Sequence, residues 1–364
     1  MPTAHTRVTF AQFMQDALYG ADGYYGSGRA QSGKAGDYFT APDVSPVFGK
    51  LLLSHFMEWR KKIPVSPFNL IEVGSGQGAL AASIAAALPP FNPKQYDEIR
   101  YTAVEASAER QAMLAGRAEN FIDKGILFHI LPDLQAFKEY PVSGIAFANE
   151  LIDAFPVHRV RWHNSQLQEG YVESGKLIWD IPSKPELLQY VDRLRSLGIE
   201  WPDGYETEIN LAMASWLQMM SAALTQGVIV LIDYGRPAHA YYAPERTGGT
   251  LRAFSQHRVS NDWLANPGHQ DLTADVDFTS LALDAQAAGL EPLAFMEMGS
   301  FLTQAVERLG PAAAELPPRA LQLLIHPDAM GSAFHVLVLG KGVPEKDLNL
   351  NYNRLRRLGL TKET

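Results

Sequence analysis

A chain of 364 residues, 46% hydrophobic and 20% charged, is long enough for two domains or for one with large insertions, and it can bury a core without disulfide or metal support. It has no cysteine, which excludes a disulfide framework, a thiolate zinc site and a catalytic thiol. A formal charge of -9 argues against a nucleic-acid partner, because phosphate binding needs concentrated Lys and Arg and the densest runs, Arg60-Lys61-Lys62 and Arg354 to Arg357, are short.

The N-terminus, Met1 to Phe10, has neither the apolar core of a signal peptide nor an Arg-rich amphipathic pattern, so a cytoplasmic protein is expected. No apolar run reaches the ~18 residues that suggest a membrane span. Thr9 can cap a helix from Phe10 to about Leu18, with Phe10, Phe13, Met14 and Ala17 on one face. A Gly-, Tyr- and Ser-rich loop follows from Tyr19 to Asp43, then a helix from about Val47 to Arg60 with Leu51, Leu52, His55, Phe56 and Trp59 at helical spacing.

From Phe68 short apolar strands alternate with helices, the pattern of a parallel sheet. Strands are expected at Asn69 to Gly74, Ile99 to Glu105, Ile126 to Ile130, Gly144 to Asn149 and Val228 to Asp233. Between the first three lie an Ala-rich helix, Gly78 to Leu88, and a helix from Ser107, its cap, to Asn120. Pro156 to Tyr205 interrupts the alternation with strand-like pieces at Arg159 to Trp162 and Lys176 to Trp179, and reads as a small insertion. Residues 235 to 277 read as a long loop, and its aromatic, His and Arg content favours a lid. The chain then runs through a helix at Phe278 to Ala288, a strand at Pro292 to Met298, helices to about Leu324 and a strand at Ala333 to Leu339.

The turn Gly74-Ser75-Gly76-Gln77-Gly78-Ala79 joins strand to helix, and its glycines let the backbone approach a ligand closely. The same pattern serves dinucleotides, so the loop alone does not choose the cofactor. Glu72, two residues before the first glycine, would repel a pyrophosphate and suits a ligand carrying a sulfonium and an ammonium; the alternative is a solvated strand-end charge. Glu105 ends the second strand, where a carboxylate accepts ribose hydroxyls in either cofactor class.

The fourth strand ends in Asn149-Glu150, with Asp153 three residues on. In the first turn of a helix, Glu150 and Asp153 would reach one mouth and suit a guanidinium; acidic capping of that helix is the alternative. His158, His257 and His269 are possible bases. No spacing suggests a metal, and the nucleophile elbow of a hydrolase is absent.

Several ordered blocks resemble the MidA family of methyltransferases, which includes the mitochondrial arginine methyltransferase needed for respiratory complex I assembly. They begin with Phe10-Ala11-Gln12-Phe13-Met14, Ala17-Leu18-Tyr19 and Gly23-Tyr24-Tyr25, followed by the run from Gly36-Asp37-Tyr38-Phe39-Thr40 to Gly49. After the glycine loop come Ala148-Asn149-Glu150-Leu151-Ile152-Asp153-Ala154-Phe155-Pro156-Val157 and Ile232-Asp233-Tyr234-Gly235. Gly249-Thr250-Leu251-Arg252-Ala253-Phe254, His257-Arg258 and the run from Pro267-Gly268-His269 to Phe278 complete the set.

The resemblance implies an α/β fold: a Rossmann-like methyltransferase sheet with helices on both faces over 67–155 and 206–342. It adds an N-terminal helical extension and cofactor-covering loop over 1–66, a small insertion over 156–205, and a lid-like loop over 235–277. It implies S-adenosyl-L-methionine as donor, cradled by Gly74, Ser75, Gly76 and Gly78 with Glu72, held at its ribose by Glu105 and covered by Gly36, Asp37 and Thr40. Asn149, Glu150 and Asp153 would then be the catalytic groups that meet an arginine of a protein, such as a respiratory NADH dehydrogenase subunit. A bacterial cytoplasmic enzyme is expected, with the mitochondrial matrix only for a processed form. Competing readings are another N-methyltransferase, an assembly chaperone with a vestigial donor site, and an NAD-dependent oxidoreductase.

Overall fold

The computed structural model describes residues 7–27, 41–63, 65–88, 99–255 and 258–360, leaving aside the side chains of Asp43 and Val44. They divide into two compact units. One comprises the described parts of Phe39–Leu151, Trp216–Tyr234 and Ala282–Thr364; the other comprises those of Met1–Tyr38, Ile152–Ser215 and Gly235–Leu281.

The first of these is built on seven strands: β1 (Phe68–Val73), β2 (Ile99–Val104), β3 (Leu127–Leu131), β4 (Val142–Asn149), β5 (Leu224–Arg236), β6 (Glu291–Glu297) and β7 (Phe334–Lys341). Their order across the sheet is β6-β7-β5-β4-β1-β2-β3. Pairs from β5 to β3 are parallel, whereas β7 is antiparallel to both β5 and β6. The order reverses beside β1, the topological switch point where such sheets bind ligands beyond their carboxyl ends. Val73 lies opposite Val104 on one side and Ala148 on the other, so the residues that follow β1, β2 and β4 emerge together.

One face of the sheet, through Phe68, Leu70, Tyr101, Ala103 and Phe147, joins a core with helices α1 (Val47–Arg60), α2 (Ala79–Ala87) and α3 (Met298–Leu309). The spacing of Leu51, Leu52, His55, Phe56 and Trp59 makes α1 amphipathic, and all five are buried. The other row of the central strands, Ile71, Ala146, Ile229 and Leu231, is buried too, and in β4 and β5 the result is a continuous apolar run, residues 145–148 and 228–232. Edge strand β6 is covered by the C-terminal segment: the Arg354 N–H donates to the Phe295 carbonyl (2.7 Å), and Asn353 Oδ1 accepts the Phe295 N–H (3.1 Å).

In the second unit, helix Phe10–Tyr19 is capped by the Thr9 hydroxyl, which accepts the Gln12 N–H at 3.1 Å, and it buries Phe10, Phe13, Met14, Ala17 and Leu18. An antiparallel sheet takes the order Val8–Thr9, Gln166–Glu173, His158–His163, Glu206–Ile209, with Lys176–Asp180 also paired to Gln166–Glu173. Its hairpins turn at Asn164-Ser165 and Ser174-Gly175, all four residues having positive φ, as two-residue turns with the sheet's own twist require. Helix Pro185–Ser196 buries Leu187, Tyr190, Val191 and Leu194 at spacings of three and four.

Three local expectations need correction. Helix Ser107–Asn120 is two pieces, Ala108–Ala115 and Glu119–Ile122, interrupted after Gly116. Residues 235–277 are not a plain loop: they include strands Arg252–Ser255, Arg258–Ser260 and Asp271–Thr273, which form a small sheet. Strands of three or four residues are too short for their alternation to register in sequence. No helix follows Glu150 either: residues 150–155 are a turn, so the acidic pair is not a helix cap.

Candidate active site

The turn after β1 carries three glycines in the left-handed region: Gly74 (φ 77°), Gly76 (54°) and Gly78 (78°). A Cβ on Gly74 would meet Leu151 Cδ1 at 2.8 Å, and one on Gly78 would meet Leu114 Cδ2 at 2.7 Å. At Gly76 a Cβ would meet nothing within 4 Å among the described residues. Two glycines therefore serve packing, and the middle one faces open space in front of bare backbone. The Ser75 hydroxyl turns inward and donates to the Glu72 carbonyl at 3.1 Å.

Glu105, just past β2, ties the turn to its neighbour strand. Its Oε2 accepts the Gly76 N–H (2.8 Å), and its Oε1 accepts the Ser107 N–H (2.9 Å). Glu72 is not a solvated strand-end charge: it is 4% exposed and receives a hydrogen bond from the Tyr101 hydroxyl at 2.5 Å. Burial pushes its carboxyl up to about 8; hydrogen bonds from Tyr101 and Ser75 pull the other way, and the Glu105 carboxylate adds to the rise. Burial also raises the Tyr101 hydroxyl well above its ordinary value, with Glu72 contributing.

Beyond β4, Glu150 holds a left-handed backbone (φ 51°), uncommon for a residue with a side chain and here outside any hairpin. Its Oε1 accepts the Ala41 N–H (3.1 Å) and the Asn149 side-chain amide (3.0 Å). Asn149 Oδ1 is buried with no hydrogen-bond partner among the described residues. An orphaned acceptor is costly unless a ligand donor completes it. The turn is anchored to β5: the Glu150 N–H donates to the Ile232 carbonyl (2.9 Å), and the Leu151 N–H to Asp233 Oδ2 (3.2 Å). Asp233 Oδ1 accepts the Tyr234 N–H (2.8 Å). Tyr101 is not among the site residues expected from the sequence, and Asp233 enters there only as a strand end and within the block Ile232-Asp233-Tyr234-Gly235.

Thus Glu72, the glycine turn, Glu105, Asn149 and Glu150 belong to one unit and one edge of its sheet. Asp153 belongs to the other unit, is 8% exposed, and its carbonyl accepts the Ala274 N–H at 2.9 Å. Gly36, Asp37, Thr40 and His257 lie outside the described residues. His158 is buried with Nδ1 2.6 Å from Glu169 Oε1, whereas His269 is exposed. Among the described residues no His, Asp and Glu cluster could hold a metal.

Glycine backbone left open among the described residues, an amide oxygen with no partner among them and the Glu105 and Glu150 carboxylates fit a ligand with cationic centres better than a pyrophosphate, while Glu72, whose proton is held up to about 8, adds no charge. Residues 48–296 match a family model described as "Putative S-adenosyl-L-methionine-dependent methyltransferase", over more than half of the chain. The chain belongs to this family. Its relatives include the Drosophila melanogaster protein named protein arginine methyltransferase NDUFAF7 homolog, mitochondrial, 27% identical over 92% of this chain and 82% of that one. The Rattus norvegicus protein arginine methyltransferase NDUFAF7 is 28% identical over 91% and 80%. A Burkholderia thailandensis protein whose crystal structure holds S-adenosyl-homocysteine aligns with a TM-score of 0.79 at 26% identity, covering 96% of this chain and 92% of that one. This member of the methyltransferase family has the Rossmann-like α/β fold and uses S-adenosyl-L-methionine, as the blocks shared with MidA imply. No helix among its described residues is long and apolar enough to cross a membrane.

Proposed function

We propose that this methyltransferase modifies arginine in a protein, with Glu150 as the carboxylate that meets the guanidinium. The observation that carries the reading is Glu150 itself: an acidic side chain on a left-handed turn at the sheet edge that also holds the glycine turn. Relatives named protein arginine methyltransferases over most of this chain's length add support. When bound, the donor supplies an electrophilic methyl on a sulfonium; the chain's part is to orient the nucleophile and accept its charge. Asn149 Oδ1 offers an acceptor to a guanidinium N–H, and the Glu150 carboxylate would hold the cation and take up the proton released when the nitrogen gains the methyl and the methyl's bond to the donor sulfur breaks. Asp153 lies in the other unit, so the reading rests on Glu150 and Asn149. In this reading the glycine turn cradles the methionine portion of the donor, Glu105 takes the ribose, and the acceptor is a respiratory NADH dehydrogenase subunit in the bacterial cytoplasm.

The test is incorporation of labelled methyl into that subunit, with arginine identified by mass spectrometry. Glu150→Gln should cut transfer by about a hundredfold or more while donor affinity stays within a few-fold. Equal loss of donor binding and turnover would make Glu150 a donor ligand, and binding of the subunit without incorporation would point to a chaperone.

A further inference from the structure

Asp275 gathers three arginines. The parallel pairing of Gly235-Arg236 with Val276-Asp277 brings Arg236 to it from one side. The pairing of Arg252 with Thr273 brings Arg252 from the other, and Arg246 arrives from the turn before Thr250, whose hydroxyl accepts the Asp275 N–H at 2.9 Å. All four lie in one unit. Arg252 Nη2 hydrogen-bonds Asp275 Oδ1. Arg236 Nε and Arg246 Nη2 stand 3.8 and 3.6 Å from Oδ2, too far for a hydrogen bond. Among the described residues neither side chain donates any hydrogen bond, and their exposures are 49% and 28%.

Asp275, its side chain 8% exposed, is the one carboxylate among the described residues within ion-pair distance of the three guanidiniums, and it hydrogen-bonds only that of Arg252, so the forks of Arg236 and Arg246 are left without a hydrogen-bonded carboxylate. Of the neighbouring carboxylates, Glu206 and Glu208 share Arg159 and Asp277 is bonded to Ser280 and Tyr190, while Glu245 is exposed beside Arg246. Arg159 shows what a structural arginine looks like in this unit. It is 1% exposed, bonded to Glu206, Glu208 and the Gly248 carbonyl, and seated over the Trp263 ring. Arg236 and Arg246 have none of this, and each offers a fork of five N–H donors suited to carboxylates.

We propose that Arg236, Arg246 and Arg252 form a docking site for Asp and Glu side chains of the polypeptide acceptor. The proposal rests on the protein-acceptor reading above. Charge complementarity selects the occupant, and the acidic chain as a whole disfavours a long polyanion such as nucleic acid.

Fluorescence anisotropy with labelled hexaglutamate, hexaglutamine and oligothymidylate tests this on the full chain and on Arg236→Gln/Arg246→Gln. Because neither side chain donates a hydrogen bond among the described residues, the variant should keep its melting temperature and donor affinity. The wild type should bind hexaglutamate but not hexaglutamine, and the double variant should bind hexaglutamate about tenfold or more weakly. If the double variant fails to fold, Arg236→Gln alone, the more exposed of the two, should still weaken binding about threefold. Unchanged affinity in a folded variant, no hexaglutamate binding by the wild type, or tighter binding of oligothymidylate overturns the proposal. The peptide contains no arginine, so a failure to methylate proteins and a failure of this site are read separately.

Discussion

Glu72→Gln isolates the most unusual titratable group of the site. An unfolded glutamate loses its proton near 4.5, whereas in the folded chain burial holds the Glu72 proton up to about 8. The stability linked to this proton is therefore complete below about 4.5 and is lost as the pH rises through about 8, at about 1.4 kcal/mol per pH unit. The whole interval is worth about 5 kcal/mol, and the part between pH 6 and pH 8 roughly 2–3 kcal/mol. Glutamine keeps the size and can accept the Tyr101 hydroxyl hydrogen bond, but it never ionises. Urea unfolding of both proteins at pH 6, 7, 8 and 9 supplies the comparison, since titrations shared by the two cancel in the difference. The variant's advantage should grow by roughly 2–3 kcal/mol from pH 6 to pH 8 and level off above pH 9. A difference that stays flat across this range would show that Glu72 is already ionised at pH 6, and the reasoning would fail.

Gly76→Ala places a methyl in the open space over the glycine turn and must hold φ near 54°, so calorimetry should find S-adenosyl-L-methionine bound about tenfold or more weakly. A fall in melting temperature with unchanged donor affinity would show that this space lies off the donor site. His55 should stay neutral far below the ordinary histidine range, because burial and then the Arg308 charge lower it to about 3 against a hydrogen bond to the Phe301 carbonyl. Its contribution to stability is present above about 6.5 and is lost as the pH falls toward 3. Nitrogen-15 spectra should show one tautomer, Nε2–H toward Phe301 with Nδ1 accepting from Arg308, unchanged from pH 8 to pH 5; a transition near 6.5 would refute it.

The sheet unit was legible because its central strands are buried on both faces over most of their length, so β4 and β5 stand out as apolar runs, and β1 and β2 as mostly apolar ones, between helical patterns. Thr9 and Ser107 were readable as caps because capping depends on residues two or three positions apart. The other unit hid more. Gln166–Glu173 alternates imperfectly, with Gly170 inside it, and it becomes a strand because its neighbours on either side supply the ladder. Helix Pro185–Ser196 carries helical spacing in its sequence, through Leu187, Tyr190, Val191 and Leu194 after a proline at the first turn.

For the site, residues at strand ends could be found in advance, because alternating strand and helix already bring the ends of β1, β2 and β4 to one edge. Their partners could not, since these depend on lateral register. Tyr101 reaches Glu72 diagonally, across a pairing in which Glu72 stands opposite Ala103, and only that register puts the two on the same face. Asp233 reaches the Leu151 N–H over a separation of 82 residues, because β5 lies beside β4. The consequence concerns Glu150 more than Asp233. With its own N–H held by Ile232 and the next held by Asp233, Glu150 is fastened to β5 on both sides of its left-handed Cα. The direction of that carboxylate is thus set by the middle of the sheet, which is how a short turn can hold a charged group still enough to meet a planar cation.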